Sequence, residues 1–219
     1  MKVGTDGVLL GSWCNVTDAK RVLDIGCGTG LVSLMVAQRK LTATVLGIDI
    51  SELAIGDCEH NFNASDWSDR LSAKQISVQE FAHSYDAKFD LIVSNPPFFN
   101  RSLKSEAQHK NLARHDDSLS FDDLFKCSAK LLSDTGFLTI IIPFDRQEES
   151  VKIALQQKLF LQRECFVYPK QESELPKRVL QVFGFDKITT TIERLYVEKE
   201  RHEYTDDYRE LTKEFYLKF

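Results

Sequence analysis

The chain has 219 residues, 42% of them hydrophobic and 28% charged, with a formal net charge of −5. This length and balance predict one domain over residues 1–219 with ample core, and the acidic charge excludes a protein that coats nucleic acid through bulk electrostatics. No apolar run approaches the ~20 residues of a membrane span. The opening MKVGTDGVLLGSW has neither a basic leader nor a cleavage site, and five scattered cysteines without a C-x-x-C pair fit a reducing cytoplasm with neither disulfides nor zinc.

Strand and helix patterns alternate along the chain. Residues 21–25 (RVLDI) read as a strand, 31–40 as a helix with apolar residues at helical spacing, and 44–50 as a second strand. Ser51 is placed to cap a helix reaching about residue 63, with Glu52 in its first turn. A weaker strand at 72–78 and a strong one at 89–94 precede a helix at 121–132 and a nearly all-apolar strand at 137–143. After a helix at 147–158, strands at 159–168 and 179–185 flank the polar loop PKQESELPKR and predict an antiparallel excursion at the sheet edge. A strand at 194–199 and an amphipathic helix near 206–217 close the chain. The expected fold is α/β and Rossmann-like, a doubly wound, mostly parallel sheet with an antiparallel C-terminal edge.

The first strand runs into DIGCGTG, Asp24 to Gly30, and then into a helix. Gly26, Gly28 and Gly30 let the backbone turn tightly and let a ligand approach where a Cβ would collide. Nineteen residues beyond Gly30, the second strand ends in Asp49, followed by Ile50, and that acid is placed to accept hydrogen bonds from ribose hydroxyls. The dinucleotide fingerprint is G-x-G-x-x-G; this loop is D-x-G-x-G-x-G, which disfavours a nicotinamide dehydrogenase. Asp24 would repel a phosphate but suits a ligand with an ammonium group. The loop resembles that of Rossmann-like methyltransferases, and the resemblance selects S-adenosyl-L-methionine as cofactor.

The fourth strand ends in SNPPFF. An exocyclic amine is a poor nucleophile because its lone pair is delocalised. The Asn95 side-chain oxygen and the Pro96 carbonyl offer two acceptors for its N–H groups, and the prolines Pro96 and Pro97 hold those acceptors rigidly. Phe98 is suited to stack on a planar substrate. The motif resembles the signature of amino-group methyltransferases, whose targets include adenine N6, cytosine N4, guanine N2 and protein glutamine. Downstream, NRSLKSEAQHKNLARH holds Arg101, Lys104, Lys110 and Arg114 against one acid, and Lys177-Arg178 adds a second basic pair; both are candidates for RNA phosphate contacts. The sequence shows no separate recognition domain of useful length, so recognition is expected to rely on small loops around the cleft, which suits a pre-shaped RNA with an exposed unpaired base better than a long duplex.

In order, KVGTDGVLLGSW, LDIGCGTG, SNPPF, LPKRVL and DDYRELTKEFYLKF resemble the bacterial methyltransferases that modify N6 of the adenosine beside the anticodon, position 37, of a valine tRNA. The resemblance covers nearly the whole chain. It implies a cytoplasmic enzyme acting on the anticodon region of a tRNA, without an obligate protein partner, and it carries residues 2–7 into the cofactor pocket floor, with Thr5 and Asp6 as contacts and Asn95 at the cofactor's edge. Without the resemblance, Gly4 and Gly7 read only as a turn. Family members usually have a basic, aromatic segment before KVGTDG, so either residues precede Met1 or the chain starts there. The family's third strand often ends in an acid that meets the cofactor adenine; here Ile76-Ser77-Val78 stands there, leaving Ser77 or Glu80 for that place, and no role is assigned to Ser77. Alternatives are a ribosomal RNA guanine-N2 methyltransferase, a glutamine N5 methyltransferase acting on a translation factor, and a non-catalytic RNA-binding module, which the intact Asn95–Phe98 motif disfavours.

Overall fold

The computed structural model describes residues 4–86, 88–96 and 119–216. Its centre is β1 (Arg21–Ile25), buried from its second residue onward and paired in parallel with β2 (Thr44–Asp49) on one side and β4 (Phe89–Ser94) on the other. β3 (Leu71–Gln75) lies outside β2 and β5 (Leu132–Pro143) outside β4, both parallel. Runs such as LIV in β4 and III in β5 are apolar at consecutive positions because helices cover both sheet faces. One face packs on α1 (Thr5–Trp13), α2 (Leu31–Arg39) and α3 (Glu52–Asn63), the other on α4 (Val78–Ser84), α5 (Phe121–Leu131) and α6 (Gln147–Gln156). No described helix is long and apolar enough to cross a membrane.

Beyond β5 the antiparallel excursion forms, but not at the edge. β7 (Arg178–Gly184) inserts between β5 and β6 (Phe160–Lys170), antiparallel to both. β6 therefore runs parallel to the central strands, and β8 (Thr191–Glu200) pairs with it in parallel. The two-residue β9 (Glu203–Tyr204), antiparallel to β8, closes the sheet, whose order is β3-β2-β1-β4-β5-β7-β6-β8-β9. α7 (Asp206–Thr212), capped by the Thr205 side chain, is shorter than the helix expected to residue 217.

Two local readings are corrected. Gly4 and Gly7 are not a turn: Gly4 is the N-cap of α1, and Gly7 lies inside that helix. α1 is buried from Gly7 to Trp13, so its sequence lacks the polar stripe that marks a surface helix. It lies close on α2 because Gly7 and Gly11 have no side chains; a Cβ on Gly11 would fall 2.6 Å from Met35 Sδ. The third strand stops at Gln75 rather than continuing to residue 78, because Ser77 and Glu80 form a reciprocal capping box that starts α4.

Candidate active site

The described candidate residues of the glycine loop, Asp49 and Asn95 lie at the carboxyl ends of the parallel strands, where open α/β sheets bind ligands. β1 ends opposite β4 at the pair Ile25–Ser94. The buried Ser94 hydroxyl donates to the Ile25 carbonyl at 2.8 Å, which pins the two strand ends together. Gly26 and Asn95, the next residue on each, therefore emerge side by side.

The glycine loop adopts the backbone its composition permits. Gly26, Gly28 and Gly30 have φ of 72°, 55° and 79°, the left-handed region costly to residues with a Cβ. They differ in surroundings: a Cβ on Gly26 would meet nothing within 4 Å, whereas one on Gly30 would lie 2.5 Å from Phe62 Cε1. Gly26 thus borders open space and Gly30 abuts α3. The loop hangs from β2 through Gly26 N–H and Cys27 N–H, both donating to the Ile48 carbonyl, and Asn61 of α3 donates to the Thr29 carbonyl at 2.9 Å.

Both expected acids act on this loop, by different means. Asp24 is 2% exposed. Its Oδ2 accepts from Ser33 N at 3.2 Å and Ser33 Oγ at 2.7 Å. Gly30, at the N-cap of α2, has no side chain to cap with, so Asp24 performs that service from the neighbouring strand. Oδ1 has no hydrogen bond among the described residues. Burial pushes the Asp24 carboxyl up to about 6, against the lowering effect of the Ser33 bonds. Asp49 is half-buried and accepts from Gly28 N at 3.0 Å and from Ser51 N at 2.9 Å. One acceptor bond on each carboxylate oxygen leaves lone pairs for further donors. Ile50 follows, 48% exposed at the same edge.

Cys27 is the one thiol inside the loop. Its sulfur lies 3.8 Å from that of Cys58, and this contact together with burial pushes its pKa far up, so it is no nucleophile at neutral pH. The third-strand position of the adenine acid is occupied differently: the Ser77 hydroxyl donates to Glu80 Oε2 at 2.7 Å and accepts from Glu80 N at 3.2 Å. The Ser77 bond holds the exposed Glu80 carboxyl below its usual range.

Among the remaining expected residues, Asn95 is half-buried and Pro96 buried. Thr5 is exposed at the start of α1. Asp6 and Arg178, expected at cofactor and RNA respectively, bind each other, with Arg178 Nε 2.8 Å from Asp6 Oδ2. Lys177 is exposed, and its carbonyl accepts from Phe144 N just beyond β5. Pro97, Phe98, Arg101, Lys104, Lys110 and Arg114 lie outside the described residues. Sequence reasoning missed Ser33 and Ser94. Ser33, three residues after Gly30, is the N3 position whose N–H needs a partner, and that signal was available; Ser94 carried none.

The site has a bend without side chains, an open surface at Gly26, a ribose-competent acid and an exposed apolar residue beside it, and an acid with a free oxygen for a cation. These features fit a nucleoside that also carries an ammonium group. Among solved structures the fold is shared with a predicted O-methyltransferase from Agrobacterium tumefaciens, at TM-score 0.71 and 16% identity over 95% of this chain and 96% of that one. It is shared also with a putative RNA methyltransferase from Pyrococcus horikoshii, at TM-score 0.55 and 16% identity over 81% and 80%. The family model for the methyltransferase small domain matches residues 4–160. Fold and site define a class I methyltransferase, and S-adenosylmethionine is its methyl donor.

Relatives narrow the class. The chain is 45% identical over 99% of its length to the tRNA1(Val) (adenine(37)-N6)-methyltransferase of Phocaeicola vulgatus, covering 91% of that protein. It is 40% identical over its full length to the enzyme of the same name from Flavobacterium psychrophilum, covering 93%. The protein belongs to the tRNA1(Val) (adenine(37)-N6)-methyltransferase family.

Proposed function

We propose that this protein methylates N6 of adenosine 37 in a valine tRNA, acting in the cytoplasm as one domain. The observation that carries the proposal is the placement of Asn95-Pro96 beside Gly26, in a chain 39–45% identical over its length to relatives named for that reaction. The nine strands among the described residues form one continuous sheet, which supports treating the chain as a unit.

Gly26 and Gly28 line the cofactor bed, Asp49 receives the ribose hydroxyls through its remaining lone pairs, and Ile50 lies against the adenine. Asp24, with an ordinary acid's value raised only to about 6, is ionised at neutral pH and offers Oδ1 to the ammonium group. When bound, S-adenosylmethionine supplies a methyl group activated by its sulfonium charge. The chain's contribution is orientation: the Asn95 side-chain oxygen and the Pro96 carbonyl accept the two N–H groups of the adenine amine. That pulls the nitrogen toward tetrahedral geometry and aims its lone pair; the proton the nitrogen loses on methylation passes to solvent water, because neither acceptor is basic. Fixing the reacting partners in this way is worth effective molarities up to ~10⁵–10⁸ M. Phe98 stacks on the extruded base, and Arg101, Lys104, Lys110, Arg114 and Lys177 contact phosphates of the anticodon region.

The test is methylation of valine tRNA transcripts carrying adenosine or guanosine at position 37, read by nucleoside mass spectrometry. Wild-type protein forms N6-methyladenosine only on the first. Asn95→Ala abolishes the product while S-adenosylhomocysteine binds with near wild-type affinity. Equal methylation of both transcripts, or an active Asn95→Ala, refutes the proposal.

A further inference from the structure

Asp6 and Arg178 lie 172 positions apart in sequence, yet form an ion pair with N–O distance 2.8 Å and only 28% of each side chain exposed. Both stand at the carboxyl edge of the sheet. Arg178 pairs with Pro143 at the carboxyl end of β5, two strands from β1. Asp6 is in the first turn of α1, whose next residue, Gly7, packs against Leu31; a Cβ there would lie 3.0 Å from Leu31 Cδ2. Leu31 directly follows Gly30 and opens α2. The pair therefore spans from the exit of the glycine loop to the β7 side of the sheet's carboxyl edge.

The two ends of α1 are held very differently. At its C-terminal end, Trp13 Nε1 donates to Glu193 at 2.9 Å. Arg163 stacks 4.0 Å from the Trp13 ring centroid and makes a two-pronged bond to the same Glu193. At its start, Gly4 caps without a side-chain bond, and among the described residues the ion pair that holds this first turn is Asp6–Arg178. The far end is thus anchored by the buried Trp13 and its partners whatever Arg178 does, whereas ahead of the buried stretch that begins at Gly7 the first turn has this ion pair.

We infer that the Asp6–Arg178 pair is a clasp that holds the first turn of α1 over the cofactor bed, making both positioning residues for S-adenosylmethionine rather than Arg178 a phosphate contact; this rests on the cofactor site proposed above. Arg178 then has its guanidinium committed before RNA arrives, while the exposed Lys177 beside it remains available for phosphate. Opening the clasp raises the cofactor's dissociation constant, because the bound state must then order the turn that the pair holds in advance.

The experiment compares Asp6→Ala, Arg178→Ala, the double variant and Arg178→Lys. It measures S-adenosylhomocysteine binding by calorimetry, KM and kcat with valine tRNA, and the salt dependence of tRNA binding. A partly exposed ion pair predicts that each alanine variant binds S-adenosylhomocysteine about twofold to fivefold more weakly. The double variant is no weaker than either single one, because both remove the same interaction. Arg178→Lys recovers most of the loss, KM for the methyl donor rises more than kcat falls, and the tRNA salt slope is unchanged. The clasp is refuted if Arg178→Ala flattens that slope by about one ion while Asp6→Ala does not, or if melting temperatures fall with no change in S-adenosylhomocysteine affinity. Failure of the wild type to bind S-adenosylhomocysteine overturns the cofactor site itself, a separate outcome.

Discussion

Replacing Asp24 by asparagine isolates the effect of burying that carboxyl group. In the folded chain its value is about 6 against an ordinary 3.8, raised by desolvation. Between those pH values the folded state keeps a proton that the unfolded state has lost, so stability falls as pH rises through the window. The gap amounts to about 3 kcal/mol, fully lost above pH ~7. The Asp24→Asn side chain cannot ionise, so this loss disappears. Its amide oxygen can still accept both Ser33 bonds, because both fall on one oxygen of Asp24. The NH2 group then replaces Oδ1, at a cost of about 1–3 kcal/mol where no acceptor is at hand, but that cost does not vary with pH. In urea unfolding without ligand, the stability of Asp24→Asn minus that of the wild type therefore climbs by about 2.4 kcal/mol from pH 4 to pH 8, where most of the gap falls, equivalent to about 5–10 °C in melting temperature. Parallel pH profiles for the two proteins would show that Asp24 ionises normally in the fold and refute the reasoning.

Asp49→Ala removes a carboxylate that already holds Gly28 and Ser51; S-adenosylhomocysteine affinity falls by about 1.5–3 kcal/mol, and an unchanged dissociation constant by calorimetry would take Asp49 out of the site. Gly26 and Gly30 share positive φ but separate on substitution by Ala. Gly30→Ala combines left-handed strain with a clash against Phe62 and lowers stability by about 2–4 kcal/mol. Gly26→Ala bears only the backbone cost of about 1–2 kcal/mol, yet loses cofactor because its methyl enters the open side. Thermal melts with and without S-adenosylhomocysteine distinguish the two, and a Gly26→Ala protein still stabilised like wild type by ligand would contradict the assignment.

The local structure of the candidate cofactor site was legible because its signals are local. Three glycines between a strand and a helix, an acid at the next strand end, and Ser51 accepting from Ala54 N at 3.3 Å all act within a few residues of themselves. α1 was not legible: Val8, Leu9 and Leu10 are buried along with both glycines, and a helix buried on every side leaves no periodic polar face. α4, at seven residues, is too short for periodicity to separate it from the strand before it. The insertion of β7 was illegible for another reason. Its alternation identifies a strand, but strand order depends on which partner buries Val179, Leu180 and Phe183, and nothing in the strand's own residues names that partner.

The same distinction explains why the sequence points Arg178 toward RNA and the fold does not. In sequence it is one half of a basic dipeptide after Leu175-Pro176, and charge alone assigns both halves to phosphate. The strand register separates them. Arg178 is the first residue of β7, fixed opposite Pro143 and Val167, which leaves its side chain to find Asp6; Lys177 lies in the loop before the strand and stays in solvent. Adjacent cations at a strand boundary are thus placed differently, one paired at the fold's edge and one exposed to solvent. Exchanging Lys177 for Ala should then reduce tRNA affinity without altering S-adenosylhomocysteine binding, the inverse of Arg178→Ala. Two variants one residue apart that behaved alike in both measurements would mean that the register does not decide the role.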